Sequence, residues 1–150
     1  MARPFRLQTL LELGAHRLDA AALELQKLRG VLQQAEAKLE QLRQFQAEYE
    51  AALSKALVEG VEADRLRDFQ RFLAKLRLAM QAQGGEVDRC RQAWTLQHRR
   101  WLDLRQREQA LAALRDRHAE AEALRERRRE QKEQDEFALK AKTHNPIDRH

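Results

Sequence analysis

The sequence predicts an all-α fold: a long antiparallel two-helix coiled-coil hairpin with an overhanging C-terminal helix. Three observations carry this. The chain has 24 Leu, 24 Ala, 22 Arg, 16 Glu and 7 Lys in 150 residues, well above the roughly one-half share at which these five types mark a coiled coil or long helix. Leucine recurs at every seventh position through the first third. Turn-forming residues are scarce, with 5 Gly and 2 Pro. Val and Ile together number 5 and aromatics are 5%, too few for the β-branched and aromatic surfaces of a sheet-based enzyme.

The first helix follows from its seam. Every seventh residue from Leu11 reads Leu11, Leu18, Leu25, Leu32, Leu39, Gln46 and Leu53. The companion series is Gly14, Ala21, Leu28, Ala35, Leu42, Tyr49 and Ala56. These are the a and d positions of a heptad, and a repeat sustained this long implies a left-handed coiled coil. The small residues in the second series suit a partner with bulky side chains. Pro4 fits at or just before the first turn, where its missing N–H removes no helical bond. Gly14 and Gly30 each cost about 1 kcal/mol of helix propensity, which the surrounding periodicity outweighs. The predicted helix runs from about 5 to 58.

The segment VEGVEADR interrupts the pattern. It predicts a turn over about 59–64, with Gly60 as a C-terminal cap and Asp64 as the N-cap of the second helix. The 3-4 spacing then resumes through Leu66, Phe69, Leu73, Leu76, Met80, Val87, Cys90, Trp94, Trp101, Leu104 and Leu111. Gly84 and Gly85 are a candidate kink or a tolerated weak spot. Beyond Leu111 the seam shifts to Leu114, His118 and Ala121. From Leu124 the sequence is mainly charged, with Phe137 and Leu139 isolated. The second helix is expected over about 65–141, followed by a frayed tail over 142–150, where Pro146 forbids regular helix. The whole chain, 1–150, reads as one coiled-coil domain.

A short turn forces the helices antiparallel. If the chain reverses near residues 60 and 61, residues whose numbers sum to about 121 share a level. Trp101 then meets Ala20, Ala21 and Ala22, and Trp94 meets Lys27 and Leu28. Near the turn, Tyr49 is level with Phe72, Phe45 with Leu76, Leu42 with Ala79, and Lys38 with Gln83. Phe45 and Phe72 fall beside the seam, and an exposed aromatic and aliphatic cluster of this kind marks a partner site unless it only widens the core. Residues 117–141 have nothing opposite them and form an overhang of roughly 35 Å at 1.5 Å per residue.

Several function classes find no support. The formal net charge is +5, modest for this length. Residues 86–150 hold 16 basic and 13 acidic residues, poor material for a polyanion groove, so no nucleic-acid partner is expected. Metal binding is not expected, because His16, His98, His118, His144 and His150 are scattered. Cys90 is the single cysteine and reads as a small seam hydrophobe. No phosphate-binding glycine loop and no nucleophile with its base can be assembled, so neither a cofactor nor catalysis is expected. No run approaches the roughly 18 apolar residues of a membrane span. Glu12, His16, Arg17 and Asp19 interrupt any apolar core of a signal peptide after Arg3 and Arg6. A cytoplasmic protein is the expectation, monomeric when isolated.

Three segments carry a family resemblance: the opening FRLQTLLEL; the middle QQAEAKLEQLRQFQAEYEAAL, then a glycine break, then DFQRFLAKLRLAMQAQ; and the closing RRREQKEQDEFALKA. In this order and length they resemble the FliJ family of flagellar type III export proteins over nearly the whole chain. The resemblance implies a monomeric antiparallel two-helix coiled coil similar to the stalk of the rotary ATPase gamma subunit. It implies docking into a FliI-type export ATPase hexamer, contact with the cytoplasmic domain of a FlhA-type export gate, and a part in handling export chaperones. It also implies peripheral association with the export apparatus at the inner membrane. YscO-type proteins of virulence secretion share the architecture and are the functional rival; a generic dimeric coiled coil is the alternative of a different class.

Carried over residue by residue, the family's gate-binding patch falls on Lys38, Leu42, Phe45, Tyr49, Phe72, Leu76, Ala79 and Gln83. Phe45 replaces a family tyrosine and keeps the ring without its hydroxyl. Lys38 stands where a glutamine occurs, and Gln83 where a histidine occurs. The stalk resemblance and the overhang together assign ATPase ring docking to Arg125, Arg127, Arg128, Arg129, Lys132, Asp135, Glu136 and Phe137, since arginines there can form bidentate pairs with ring carboxylates.

Overall fold

The structure, a computed structural model, describes residues 4–143. The tail expected over 142–150 therefore lies, beyond Thr143, outside the described residues, as do Arg3, His144, Pro146 and His150. Two helices account for nearly everything: α1, Gln8–Glu59, and α2, Ala63–Thr143. They pack against each other, and no strand occurs among the described residues. No helix is long and apolar enough to cross a membrane.

Local chemistry sets the helix ends. Pro4 and Phe5 precede α1, and the Phe5 carbonyl accepts the Gln8 N–H at 3.1 Å. The helix thus begins three residues later than the periodicity predicts. At the other end Gly60 has φ +92°, the left-handed conformation that a residue without Cβ adopts freely after a helix. The expected cap is therefore present. The start of α2 differs from expectation: the Glu62 carbonyl accepts the Leu66 N–H at 3.0 Å. Asp64 is not the N-cap but lies inside the first turn, 3.3 Å from Arg67. A carboxylate there still complements the positive end of the helix dipole. Gly84 and Gly85 leave α2 unbroken. A Cβ at Gly84 would meet nothing within 4 Å, so the helix accommodates the pair without requiring glycine there.

The chain divides into two compact units, Leu18–Asp103 and Met1–Arg17 with Leu104–His150. In the first unit the seam is the heptad series. Ala21, Ala35, Leu73, Leu76, Val87 and Cys90 are buried. Ala35, Val87 and Cys90 form a cluster on which Leu32 and Leu39 pack, and Cys90 takes the place expected of a small hydrophobe. The seam also contains two hydrogen bonds. Gln83 Nε2 donates to the Ala35 carbonyl at 3.0 Å, and Gln97 Nε2 donates to the Ala21 carbonyl at 3.2 Å. Both bonded pairs sum to 118, three less than the 121 of the level pairs nearer the turn, so each glutamine side chain reaches a carbonyl about one turn from the residue that this sum places opposite it. Arg91 reaches Glu36 at 3.4 Å from the flank. Further along α2, Trp94 and His98 stack at 4.9 Å.

In the second unit Leu11 is buried, and Gly14 lies under the Glu108 side chain, so that a Cβ there would collide with the Glu108 carboxylate. Phe5 and His118 rings lie 5.7 Å apart. The predicted drift of the seam is only partly observed. His118 is half-buried, but Leu114 and Ala121 are exposed. The buried position is Glu122, whose carboxylate takes a 2.9 Å hydrogen bond from Arg125. From half-buried Leu111 a step of seven to His118 and one of four to Glu122 carries the buried stripe past Ala121, and the partner guanidinium makes burial of a carboxylate tolerable. Residues 123–143 are exposed throughout.

Candidate functional site

The residues expected to make contacts fall on two exposed surfaces, one in each unit. The first lies near the turn, in the unit Leu18–Asp103. Phe45 and Phe72 stand beside the seam, and Tyr49, at a seam position, turns its ring out onto Phe72. Phe45, Tyr49 and Phe72 are 41%, 37% and 38% exposed. Tyr49 and Phe72, one from each helix, stack with centroids 3.9 Å apart and planes 24° apart. That is the pair the sum of 121 places level. Phe69 meets Tyr49 edge-on at 6.3 Å. The stacked and edge-on contacts tie the Tyr49 ring of α1 to Phe69 and Phe72 of α2.

The eight residues of the expected gate patch all fall in this unit but differ in access. Lys38, Phe45, Tyr49, Phe72 and Ala79 are exposed, and Leu42 and Gln83 are half-buried. Leu76 is buried at 6% and belongs to the seam, because its 3-4 spacing from Leu73 and Met80 points it at α1. The Gln83 amide is engaged by the Ala35 carbonyl. Lys38 faces Glu86. That carboxyl is held below its ordinary range by the hydrogen bond and charge of Arg89, with smaller contributions from Cys90 and Lys38. The Cys90 thiol is pushed up by desolvation and by the neighbouring Glu86 charge, and so is held as a protonated thiol.

Three residues absent from that patch complete the surface. Arg65, Asp68 and Phe69, together with Tyr49 and Phe72, line a hollow of about 350 Å³. The Arg65 guanidinium lies 5.7 Å from the Phe69 ring centroid, a cation–π distance. Phe69 reads as seam from sequence, and only its neighbours at positions 65 and 72 hint that it also lines a surface.

The second surface is the exposed stretch of α2 in the other unit. Arg125, Arg127, Arg128, Arg129, Lys132, Asp135, Glu136 and Phe137 are all exposed, Phe137 at 76%. Arg125 is held by Glu122, Arg129 by Glu126 at 2.5 Å, and Asp135 accepts from Gln131 at 3.0 Å. A second hollow, of about 540 Å³, is lined by residues 4–7 with Leu114, His118, Glu122 and Arg125. Both hollows are open surface features, and no group of three or more potential metal ligands occurs among the described residues. The two surfaces differ in chemistry: stacked rings in one place, and a dense run of charges in the other.

Comparison with known proteins matches residues 3–145 to the family described as flagellar FliJ protein. The chain is 34% identical over 146 residues to the flagellar FliJ protein of Salmonella typhi, covering 97% of this chain and 99% of the relative. It is 32% identical over 146 residues to the flagellar FliJ protein of Escherichia coli strain K12, with the same coverage.

Proposed function

The chain belongs to the flagellar FliJ protein family, with a role in flagellar export, and we propose that it acts there as a non-enzymatic stalk joining two partners. One partner is the FliI-type export ATPase hexamer, which the stalk enters and whose assembly and activity it raises. The other is the cytoplasmic domain of the FlhA-type export gate. Handling of export chaperones belongs to the same role, as does residence in the cytoplasm at the inner membrane. The isolated chain is a monomer, its seam already filled by its own second helix.

The observation that carries this reading is the Tyr49–Phe72 stack. Two aromatic rings from different helices, each more than one-third exposed, add little to the seam but form a rigid apolar platform of the kind that anchors protein interfaces. Flagellar rather than virulence secretion is favoured because the matched family is a flagellar one along almost the entire chain. Leu76 supports the surface from beneath, so the informative change is Phe45→Ala with Phe72→Ala, which leaves the seam intact. Titration calorimetry against the gate's cytoplasmic domain should find affinity reduced about thirtyfold or more, as for loss of an anchor worth ~2 kcal/mol. Circular dichroism should be unchanged. Wild-type affinity in that folded variant refutes the gate assignment.

A further inference from the structure

Among the a and d positions of α1, Tyr49 is both the exposed exception and the single residue with an aromatic ring. On α2 a second ring stands against it. Phe69 continues the seam spacing Leu66, Phe69, Leu73 and is half-buried, and its ring meets that of Tyr49 edge-on at 6.3 Å. Elsewhere in the unit Leu18–Asp103 a small seam residue meets a larger one, as where Ala35 packs with Val87. Alternation of small and large is what lets two helices close on a seam. Ring against ring does not alternate, so one of the two gives way. Phe69, wholly apolar, stays in the seam, with the Arg65 guanidinium 5.7 Å from its ring centroid. Tyr49 carries a hydroxyl, which favours a ring that reaches water. It lies 37% exposed and stacks on Phe72 at 3.9 Å.

We infer that Phe69, which lies outside the eight-residue patch, is a positioning residue for the gate surface: by filling the seam it holds the Tyr49 ring out on Phe72. The inference rests on the gate reading above and deepens it. Phe69 acts on binding through Tyr49, without itself touching the partner. With leucine at position 69 a space opens in the seam, the Tyr49 ring turns into it, and the platform on Phe72 is lost.

Tyr49 is the only tyrosine, so fluorotyrosine labels the full chain at one site. The change in its fluorine resonance between light and heavy water measures the access of that ring to solvent. Phe69→Leu should reduce this solvent isotope shift, and titration calorimetry with the gate's cytoplasmic domain should find affinity lowered about tenfold. In a Tyr49→Ala background the same change should alter affinity by less than about twofold, the non-additivity of residues that act as one. A general loss of stability would instead weaken binding equally in both backgrounds, and that result overturns the inference. So does an unchanged isotope shift, which would mean that the hydroxyl alone draws the ring out. If Phe69→Leu binds as wild type while Phe45→Ala with Phe72→Ala binds poorly, the gate surface stands and Phe69 has no part in it. If that pair also binds as wild type, the gate reading falls and this inference falls with it. Should Phe69→Leu not fold, Phe69→Met, a ringless apolar residue of similar volume to leucine, is read by the same two measurements.

Discussion

Residues 66–90 and residues 123–143 of α2 are both unbroken helix and each carries four arginines, yet the first stretch buries Leu73, Leu76, Val87 and Cys90 and the second buries nothing. Composition and spacing both separate them: the first has one glutamate and four leucines, the second four glutamates and two leucines. In the first, apolar residues recur at steps of three and four and build one stripe. In the second, Leu124, Phe137 and Leu139 stand 13 and 2 apart and share no stripe. An unpacked helix of that length is marginal in water when isolated. Here it is extended from a helix already nucleated and packed, and each added residue needs only propagation. Pairs such as Glu126–Arg129 add about 0.2–0.5 kcal/mol each. The packed stretch is therefore where stability resides, and the unpacked one is free to be selected for contact.

Ending the chain after Leu124 is the strongest way to break that comparison. Stimulation of the partner ATPase should vanish in a turnover assay, while the thermal midpoint falls by only a few degrees, since little apolar surface is lost and the chief loss is Arg125 beside the buried Glu122 carboxylate. Full stimulation by the shortened chain would remove the docking role from residues 125–137. A matched pair of leucines gives the next largest effect. Leu73→Ala should lower unfolding free energy by about 2–4 kcal/mol, whereas Leu139→Ala, at a 64% exposed site, should stay within about 0.5 kcal/mol; urea melts measure both. The smallest effect concerns pH. Glu86 titrates below its ordinary 4.5 in the folded chain. Its contribution is present above the unfolded value and is lost as pH falls through the lowered folded one. Because Glu86 is on the surface, its effect is slight: the thermal midpoint of wild type should fall marginally more than that of Glu86→Gln between about pH 6 and pH 3.

Much of this was legible from residue spacing. Every a and d position from Leu11 to Ala56 except Tyr49 is buried or half-buried, and outside the series only Ala22 and Gly30 of α1 are half-buried. Tyr49 departs because its ring leaves the seam to stack on Phe72, a contact fixed by a residue distant in sequence. The cap at Gly60 was readable because only a residue without Cβ takes that φ at no penalty. The start of α2 was not, because Asp64 has the chemistry of a cap and Glu62 supplies a backbone carbonyl that any residue could supply. The Glu122 pair was hidden among many similar charge patterns, since burial of a carboxylate depends on what packs over it. Of the candidate surface, the stacked pair followed from arithmetic on residue numbers. The hollow did not, because a cavity is set by ring orientations that no linear pattern encodes.

The two glutamine bonds of the seam solve a problem that leucine heptads create. A ladder of Leu and Ala repeats itself every seven residues, so one helix sliding along the other by a heptad would still bury apolar surface. Gln83 and Gln97 lie 14 residues apart, as do their acceptors Ala35 and Ala21. Midway between them the same helices carry Cys90 and Leu28 instead. Slippage by seven would carry each glutamine one heptad along, away from the carbonyl that receives it. One would come level with Leu28, whose side chain covers its own backbone more fully than alanine's methyl. An amide stranded there loses its acceptor, at about 1 kcal/mol for a half-buried hydrogen bond. The glutamines thus act as teeth of a vernier, admitting one alignment of the two helices and marking every heptad-shifted one as an error.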